Sequence, residues 1–227
     1  YVGQIYFAQN DYSKALDYFK KSLKLDLSFF GENHPSVASG YYNIGYVYFA
    51  QGDYSKALEY FEEVLKIRLS VYGENHSRVA SVYNDIGEIY SVQGDDFKAL
   101  DYFKKSLKIV LSVYGENHSQ VSSIYDHIGE IYFAQKDYSK ALYYFEESLK
   151  IRLSLFGENH PEVALSYYSI GSLYIIQGDK SKALNYYEKS LKIRLSVYGE
   201  NHPLTKEIMD LINVANSKVL QSPETTK

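Results

Sequence analysis

The sequence predicts an all-α fold, a solenoid of antiparallel helix pairs, and three observations predict it. A five-residue joint, Gly-Glu-Asn-His followed by Pro or Ser, opens at Gly31, Gly73, Gly115, Gly157 and Gly199, each 42 residues after the last. Between joints, apolar residues recur at three- and four-residue steps, as at Val37, Tyr41, Ile44 and Tyr48, which lines them along one face of a helix. The residues between joints also repeat position by position, and a fixed period of this length marks stacked supersecondary units that share a continuous core.

Each joint reads as a stop followed by a start. Gly can take the left-handed conformation that ends a helix, and Pro is tolerated in the first turn of the next. Residues 1–30 form a partial first repeat. Tyr1 to Gln9 match the second half of a helix carried in full later, since Gly3 and Tyr6 align with Gly45 and Tyr48. The sequence therefore opens part-way through a repeat. We expect a trimmed array or a piece of a longer one, with self-association through the open N-terminal end, where an apolar face lacks a polar cap. Asn10-Asp11 makes a turn, and Tyr12 to Phe30 gives the first complete second helix. Full repeats follow over 35–72, 77–114, 119–156 and 161–198.

In each full repeat a helix A, about Pro35 to Gln51 in the first, is broken at Gly52-Asp53, where the Asp53 carboxylate is placed to accept backbone N–H bonds from the next helix. Helix B then runs from about Tyr54 to Val71, with Ala57, Leu58, Phe61, Leu65 and Leu69 as its buried stripe. A capping helix is expected over 203–220, carrying Lys206, Glu207, Asp210, Asn213 and Asn216 where a stacking face would otherwise lie. Residues 1–220 thus form one array, and 221–227 read as a disordered tail.

Composition excludes several classes of function. The net charge is −4, with acids and bases interspersed, so no clustered basic field exists to hold nucleic acid or an anionic membrane. No apolar run approaches the roughly 20 residues of a membrane span, and Tyr1-Val2-Gly3-Gln4 lacks the layout of a secretory signal. With no Cys, disulfides and zinc thiolates are excluded, which fits a cytoplasmic location. No phosphate-binding Gly-rich loop, nucleophile elbow or dinucleotide fingerprint is present, so neither an enzyme activity nor a cofactor is expected.

The residues inside the unit identify its kind. Tyr41-x2-Ile44-Gly45-x2-Tyr48 followed by Ala57-x3-Phe61 resembles the tetratricopeptide pattern, with Tyr in place of the usual first Trp. Gly45 and Ala57 lack bulk where helices A and B cross, and the set recurs as Gly87 with Ala99, Gly129 with Ala141, and Gly171 with Ala183. The 42-residue length, the His34-Pro35-x-Val37-Ala38 opening, the Gln51-Gly52-Asp53-Tyr54 turn and the Leu65-Lys66-Ile67-Arg68 close are similar to kinesin light chain-type repeats. That resemblance covers nearly the whole chain. It implies a right-handed superhelix whose A helices line a concave groove for peptides or partner proteins. Repeats of this type also occur in sensor regions of multidomain signalling ATPases and in protease assemblies.

His34, His76, His118, His160 and His202 recur one per repeat. Equivalent positions in stacked hairpins lie on the order of 10 Å apart, too far to converge on a metal at about 2 Å, so they read as joint residues. Asn75-His76-Ser77 and Asn117-His118-Ser119 match the glycosylation sequon where Ser replaces the joint Pro, a coincidence of spelling. Glu62-Glu63 and Glu146-Glu147 lie on the polar side of helix B, where solvation and nearby Lys explain them.

Packing positions of a solenoid must recur whereas ligand-facing ones need not, so variation locates the binding face. On helix A that face carries Tyr42, Tyr46 and Phe49, flanked by Asn43, in the first full repeat. Asn84, Asp85 and Glu88 follow in the second, then Asp126, His127, Glu130 and Phe133 in the third. The fourth presents Tyr168, Ser169, Ser172 and Ile175. Tyr42, Tyr46, Phe49 and Phe133 are expected to be exposed, which marks a contact surface. Asp85, Glu88, Asp126 and Glu130 fall in the middle with no Lys or Arg at these positions, whereas tetratricopeptide grooves for acidic peptides use basic and Asn residues there. The expected ligand is therefore a basic or aromatic-basic segment of a protein or peptide. The leading reading is a non-enzymatic scaffold. Its rivals are a sensor or regulatory arm of a larger signalling ATPase or protease, and a recently duplicated array with no selected ligand.

Overall fold

The computed structural model describes residues 2–217, and among these the chain is helical throughout, in eleven helices without a strand. The helices are α1 (Val2–Ala8), α2 (Tyr12–Phe30), α3 (Pro35–Ala50), α4 (Tyr54–Tyr72), α5 (Ser77–Val92), α6 (Asp96–Tyr114), α7 (Ser119–Ala134), α8 (Tyr138–Phe156), α9 (Pro161–Ile176), α10 (Lys180–Tyr198) and α11 (Pro203–Ser217). The expected end of the capping helix at 218–220 and the tail 221–227 lie outside the described residues. The helices group into two units, Tyr1–Gly115 and Glu116–Lys227.

The turn between the two helices of a pair is closed by backbone bonds. Asp53 N–H donates to Tyr48 C=O at 2.9 Å and Gly52 N–H to Phe49 C=O at 2.9 Å, the Schellman pattern, with Gly52 at φ +77°. Asp53 then caps α4, accepting from Lys56 N–H at 3.3 Å, so one residue ends helix A and begins helix B. That bond and the Lys56 ammonium hold its carboxyl below the usual range. Lys136 occupies the glycine position of this turn at φ +62°, a conformation that costs a side chain free energy.

The joints between pairs use the histidines. In each, the imidazole Nδ1 accepts the backbone N–H two residues on, for example Glu162 to His160 at 3.2 Å, which makes His the N-cap of helix A. The rings of His34, His76, His160 and His202 also stack on the aromatic that ends the preceding helix B, as in Phe30 with His34 at 4.3 Å and Phe156 with His160 at 4.4 Å. The histidines are joint residues, and this geometry is the reason.

Within each pair, a glycine of helix A receives an aromatic ring of helix B. A Cβ on Gly87 would sit 2.9 Å from the ring of Phe103, and one on Gly129 would sit 2.7 Å from Phe145. Only a hydrogen side chain lets the ring seat there. In unit 1 the core runs from Ala15, Phe19 and Val37 through Ile44, Phe61 and Val64 to Ile86 and Ile89. In unit 2 it runs from Ala141 and Phe145 through Val163 and Ile170 to Ala183 and Ile193. The stripe of α4 is centred on Ala57, Phe61, Val64 and Ile67, while Leu58, Leu65 and Leu69 are only half-buried. Val64 and Ile67 take the innermost positions because helix B meets neighbours on two sides, and the leucines lie at its flank. On α11, Thr205, Ile208 and Ala215 are buried, and Lys206, Glu207, Asp210, Asn213 and Asn216 are exposed.

Candidate functional site

The residues that the sequence singles out in unit 1 lie on α3 and α5. Tyr42 packs edge-on against Phe61 at 5.4 Å, lies under the Arg68 guanidinium at 5.2 Å, and donates its hydroxyl to the Asp85 carboxylate. It is therefore half-buried rather than exposed, because a phenol with an acceptor within reach folds inward. Phe49 is half-buried for a similar reason, packed on Tyr54 at 5.9 Å. Tyr46, 44% exposed, is the open aromatic, and it joins Phe7 at 5.5 Å and Phe49 at 6.2 Å in one patch. Asn43 is half-buried beside them.

The carboxylates divide by environment. Asn84 Nδ2 donates to Glu88 at 2.6 Å, leaving Asn84 Oδ1 buried without a partner. Asp85 Oδ2 is also buried without a partner, and burial together with the nearby Glu88 charge pushes the Asp85 carboxyl up to about 7 despite Tyr42 and Arg68. The same desolvation, with Asp85 adjacent, raises the Tyr42 phenol well above its usual value.

In unit 2 the predicted residues lie on α7 and α9, with Glu207 of α11 beside them. Asp126 is held by Arg152 at 2.7 Å, and Arg152, 5% exposed, also reaches Glu162 at 2.9 Å and donates to Ser166 at 2.8 Å. Burial raises the Asp126 carboxyl and the guanidinium opposes that rise. Asp126 is thus already paired from within the fold. Glu130 is different. Its side chain is 69% exposed, with His127 Nδ1 at 3.9 Å.

Glu130, Phe133, Tyr168, Ser169 and Ser172 come together around a cleft of about 240 Å³ whose remaining wall is the ring of Phe145. Tyr168 is fixed there by donating to Glu207 at 3.1 Å and by the Arg194 guanidinium 4.9 Å from its ring. Ser172 donates to Tyr168 C=O at 3.0 Å and accepts from Tyr187 at 3.1 Å. Phe133 is half-buried, edge-on to Tyr138 at 6.0 Å. Ile175, 37% exposed, stands on α9 outside the cleft.

Sequence reasoning missed the arginines. Arg68, Arg152 and Arg194 close the B helices in the Leu-Lys-Ile-Arg motif, and each turns inward to an A-helix side chain: Tyr42, Asp126 and Tyr168. The available signal was the recurrence of Arg at one position of an otherwise buried stretch, replaced by Asp26 and Val110 in the other two B helices. Three further clefts lie beside joints, one walled by Glu32, Asn33, Tyr41 and Lys66 and its counterparts by Glu116, Asn117, Tyr125 and Lys150 and by Glu158, Asn159, Tyr167 and Lys192. Among the described residues, no group of three or more His, Asp or Glu could hold a metal, and no helix is long and apolar enough to cross a membrane.

The comparisons with known proteins agree with this architecture. A tetratricopeptide repeat model matches residues 1–70, 37–109, 78–154 and 120–196. A comparison with curated proteins finds no match. Among solved structures, BtubC (BKLC) from P. vanneervenii is similar at a TM-score of 0.77 and 24% identity, over 88% of this chain and 80% of that one. The nearly identical TPR-like repeats of a kinesin light chain-like protein from Podosopora anserina give a TM-score of 0.72 and 16% identity, over 87% and 93%. MamA gives 0.59 and 19%, over 86% and 96%. At these identities the likeness is one of fold, and with the matched repeats covering most of its length, the chain belongs to the tetratricopeptide repeat family.

Proposed function

We propose that the chain is a protein-interaction scaffold whose A-helix faces bind a segment of a partner protein, one rich in basic and aromatic side chains. Tetratricopeptide repeats support the general role, and the observation that carries the specific reading is the cleft where Glu130, Phe133, Tyr168, Ser169 and Ser172 converge. These residues vary from repeat to repeat, yet they meet around one opening with aromatic walls and an exposed carboxylate. Of the four acidic residues of the face, Asp126 is paired with Arg152, Asp85 is buried and Glu88 is held by Asn84, so the attraction for a cation centres on Glu130. The Tyr46 patch offers aromatic contact in the other unit.

The test is a peptide array and a pull-down with the chain and with its Glu88→Lys/Glu130→Lys form. Binding should favour basic-aromatic peptides, weaken with salt, and vanish in the doubly reversed form while its helical content is unchanged. A preference for acidic peptides, or retention by both forms alike, would refute the reading.

A further inference from the structure

We infer that the cleft of unit 2 is a reader of arginine, accepting one guanidinium side chain of the partner segment and discriminating against lysine. This rests on the proposed function above and narrows it to a single residue type at a single place.

Size points to one side chain. At about 240 Å³ the cleft is smaller than the roughly 300–1,000 Å³ of sites that enclose free small molecules, so its natural occupant is a side chain delivered by a longer chain. The lining then specifies the chemistry. Phe133, Phe145 and Tyr168 give aromatic surface on several sides, and Glu130 is the one charged residue of the lining. The positive charge nearby is already compensated. Arg194, over Tyr168, lies 3.5 Å from Glu207, which also accepts the Tyr168 hydroxyl, so Glu130 sets the sign of the opening. A cation at this opening therefore meets aromatic rings and a carboxylate.

Both cations satisfy the charge, and desolvation separates them. A guanidinium is planar, more weakly hydrated than an ammonium, stacks on aromatic faces and can meet a carboxylate with two parallel N–H bonds. An ammonium is compact and strongly hydrated, and aromatic walls that strip its water return only part of the loss. The fold makes the same choice internally. The guanidinium of Arg68 lies against Tyr42 and that of Arg194 against Tyr168, while Arg152 bridges Asp126 and Glu162. Lysines of this chain meet tyrosine rings at exposed positions, as Lys140 does at Tyr132 with a side chain 58% exposed. Buried and half-buried cation sites on the A-helix face are filled by arginine.

The experiment uses the full chain and four fluorescein-labelled octapeptides on an uncharged Gly/Ser/Tyr background, differing at one central position: Arg, Lys, citrulline or Leu. Fluorescence anisotropy should show the Arg peptide bound at least tenfold more tightly than the Lys peptide. Citrulline, planar but neutral, and Leu should both bind weakly. Glu130→Gln should lower Arg-peptide affinity about tenfold and leave the Leu peptide unaffected, and Ser169→Phe, which fills the opening, should remove the Arg preference. Equal binding of Arg and Lys, or an unchanged Arg affinity in Glu130→Gln, overturns the arginine assignment while leaving a peptide-binding face intact. If none of the four peptides binds, both the assignment and the underlying reading fail.

Discussion

The Arg152 guanidinium reaches Asp126 at 2.7 Å from a position almost wholly inside the protein, so a charge that sequence places on the binding face is already paired internally. Removing one partner of a buried pair leaves the other uncompensated, which costs about 3–5 kcal/mol in the most enclosed cases. Asp126 keeps some access to water, so Arg152→Met should cost toward the lower end, about 2–3 kcal/mol. Adding Asp126→Asn to that variant should restore part of the loss. Urea midpoints of the three proteins check both statements.

Asp85 gives a prediction with a defined pH window. Its carboxyl is raised from an ordinary value of 3.8 to about 7, chiefly by burial. Between those values the folded chain holds a proton that the unfolded chain has lost, so stability falls as pH rises from about 4 to 7 and stays low above. Asp85→Asn removes the cost. It should melt above the parent at pH 8, by an amount corresponding to a few kcal/mol, and lose that advantage at pH 4.5. The Asp caps, whose carboxyls are lowered, act in the opposite sense but below pH 4, outside this window. Thermal melts across pH 4.5–8 decide it.

The joint histidine combines capping with stacking. His160→Ala loses both the bond from Glu162 N–H and the contact with Phe156, and should cost about 1–2 kcal/mol. His160→Asn keeps a capping acceptor without the ring and should recover about half. Chemical denaturation of the pair of variants separates the two contributions.

Gly129→Ala places a methyl 2.7 Å from Phe145, a ring that also walls the cleft. Overpacking of this kind costs about 1–3 kcal/mol. Since the ring that must shift also walls the cleft, Arg-peptide binding should weaken together with stability. Lys136→Gly runs the other way. With φ at +62° at an exposed turn, it should gain about 0.5–1 kcal/mol and leave binding untouched.

The contrast between these sites explains how far the sequence could be read. Helix limits were legible because they are set locally: Gly52 and Asp53 close one helix and open the next through bonds within six residues. That Glu130, Phe133 and Tyr168 lie near one another was legible because they break the repeat at equivalent or neighbouring positions of successive A helices, and they line one cleft. What could not be read is which side chains remain available. Asp126 and Glu130 stand four residues apart on one helix, and only the arrival of Arg152 from a different helix holds the first inside the fold while the second stays 69% exposed. Likewise Tyr42 and Tyr46 are both tyrosines of one face. The first turns inward to Asp85, the second does not, and that difference depends on α5 bringing Asp85 within reach of Tyr42.

The joints carry a consequence for how such a chain can change over generations. Because Phe30 with His34 and Phe156 with His160 make the same aromatic-imidazole seam at the same spacing, a repeat copied or lost whole would meet its new neighbour through chemistry already suited to it. Duplication would then extend the A-helix surface one repeat at a time without a mismatched seam, and divergence could act on residues such as Glu130 alone, leaving the frame that displays them unaltered.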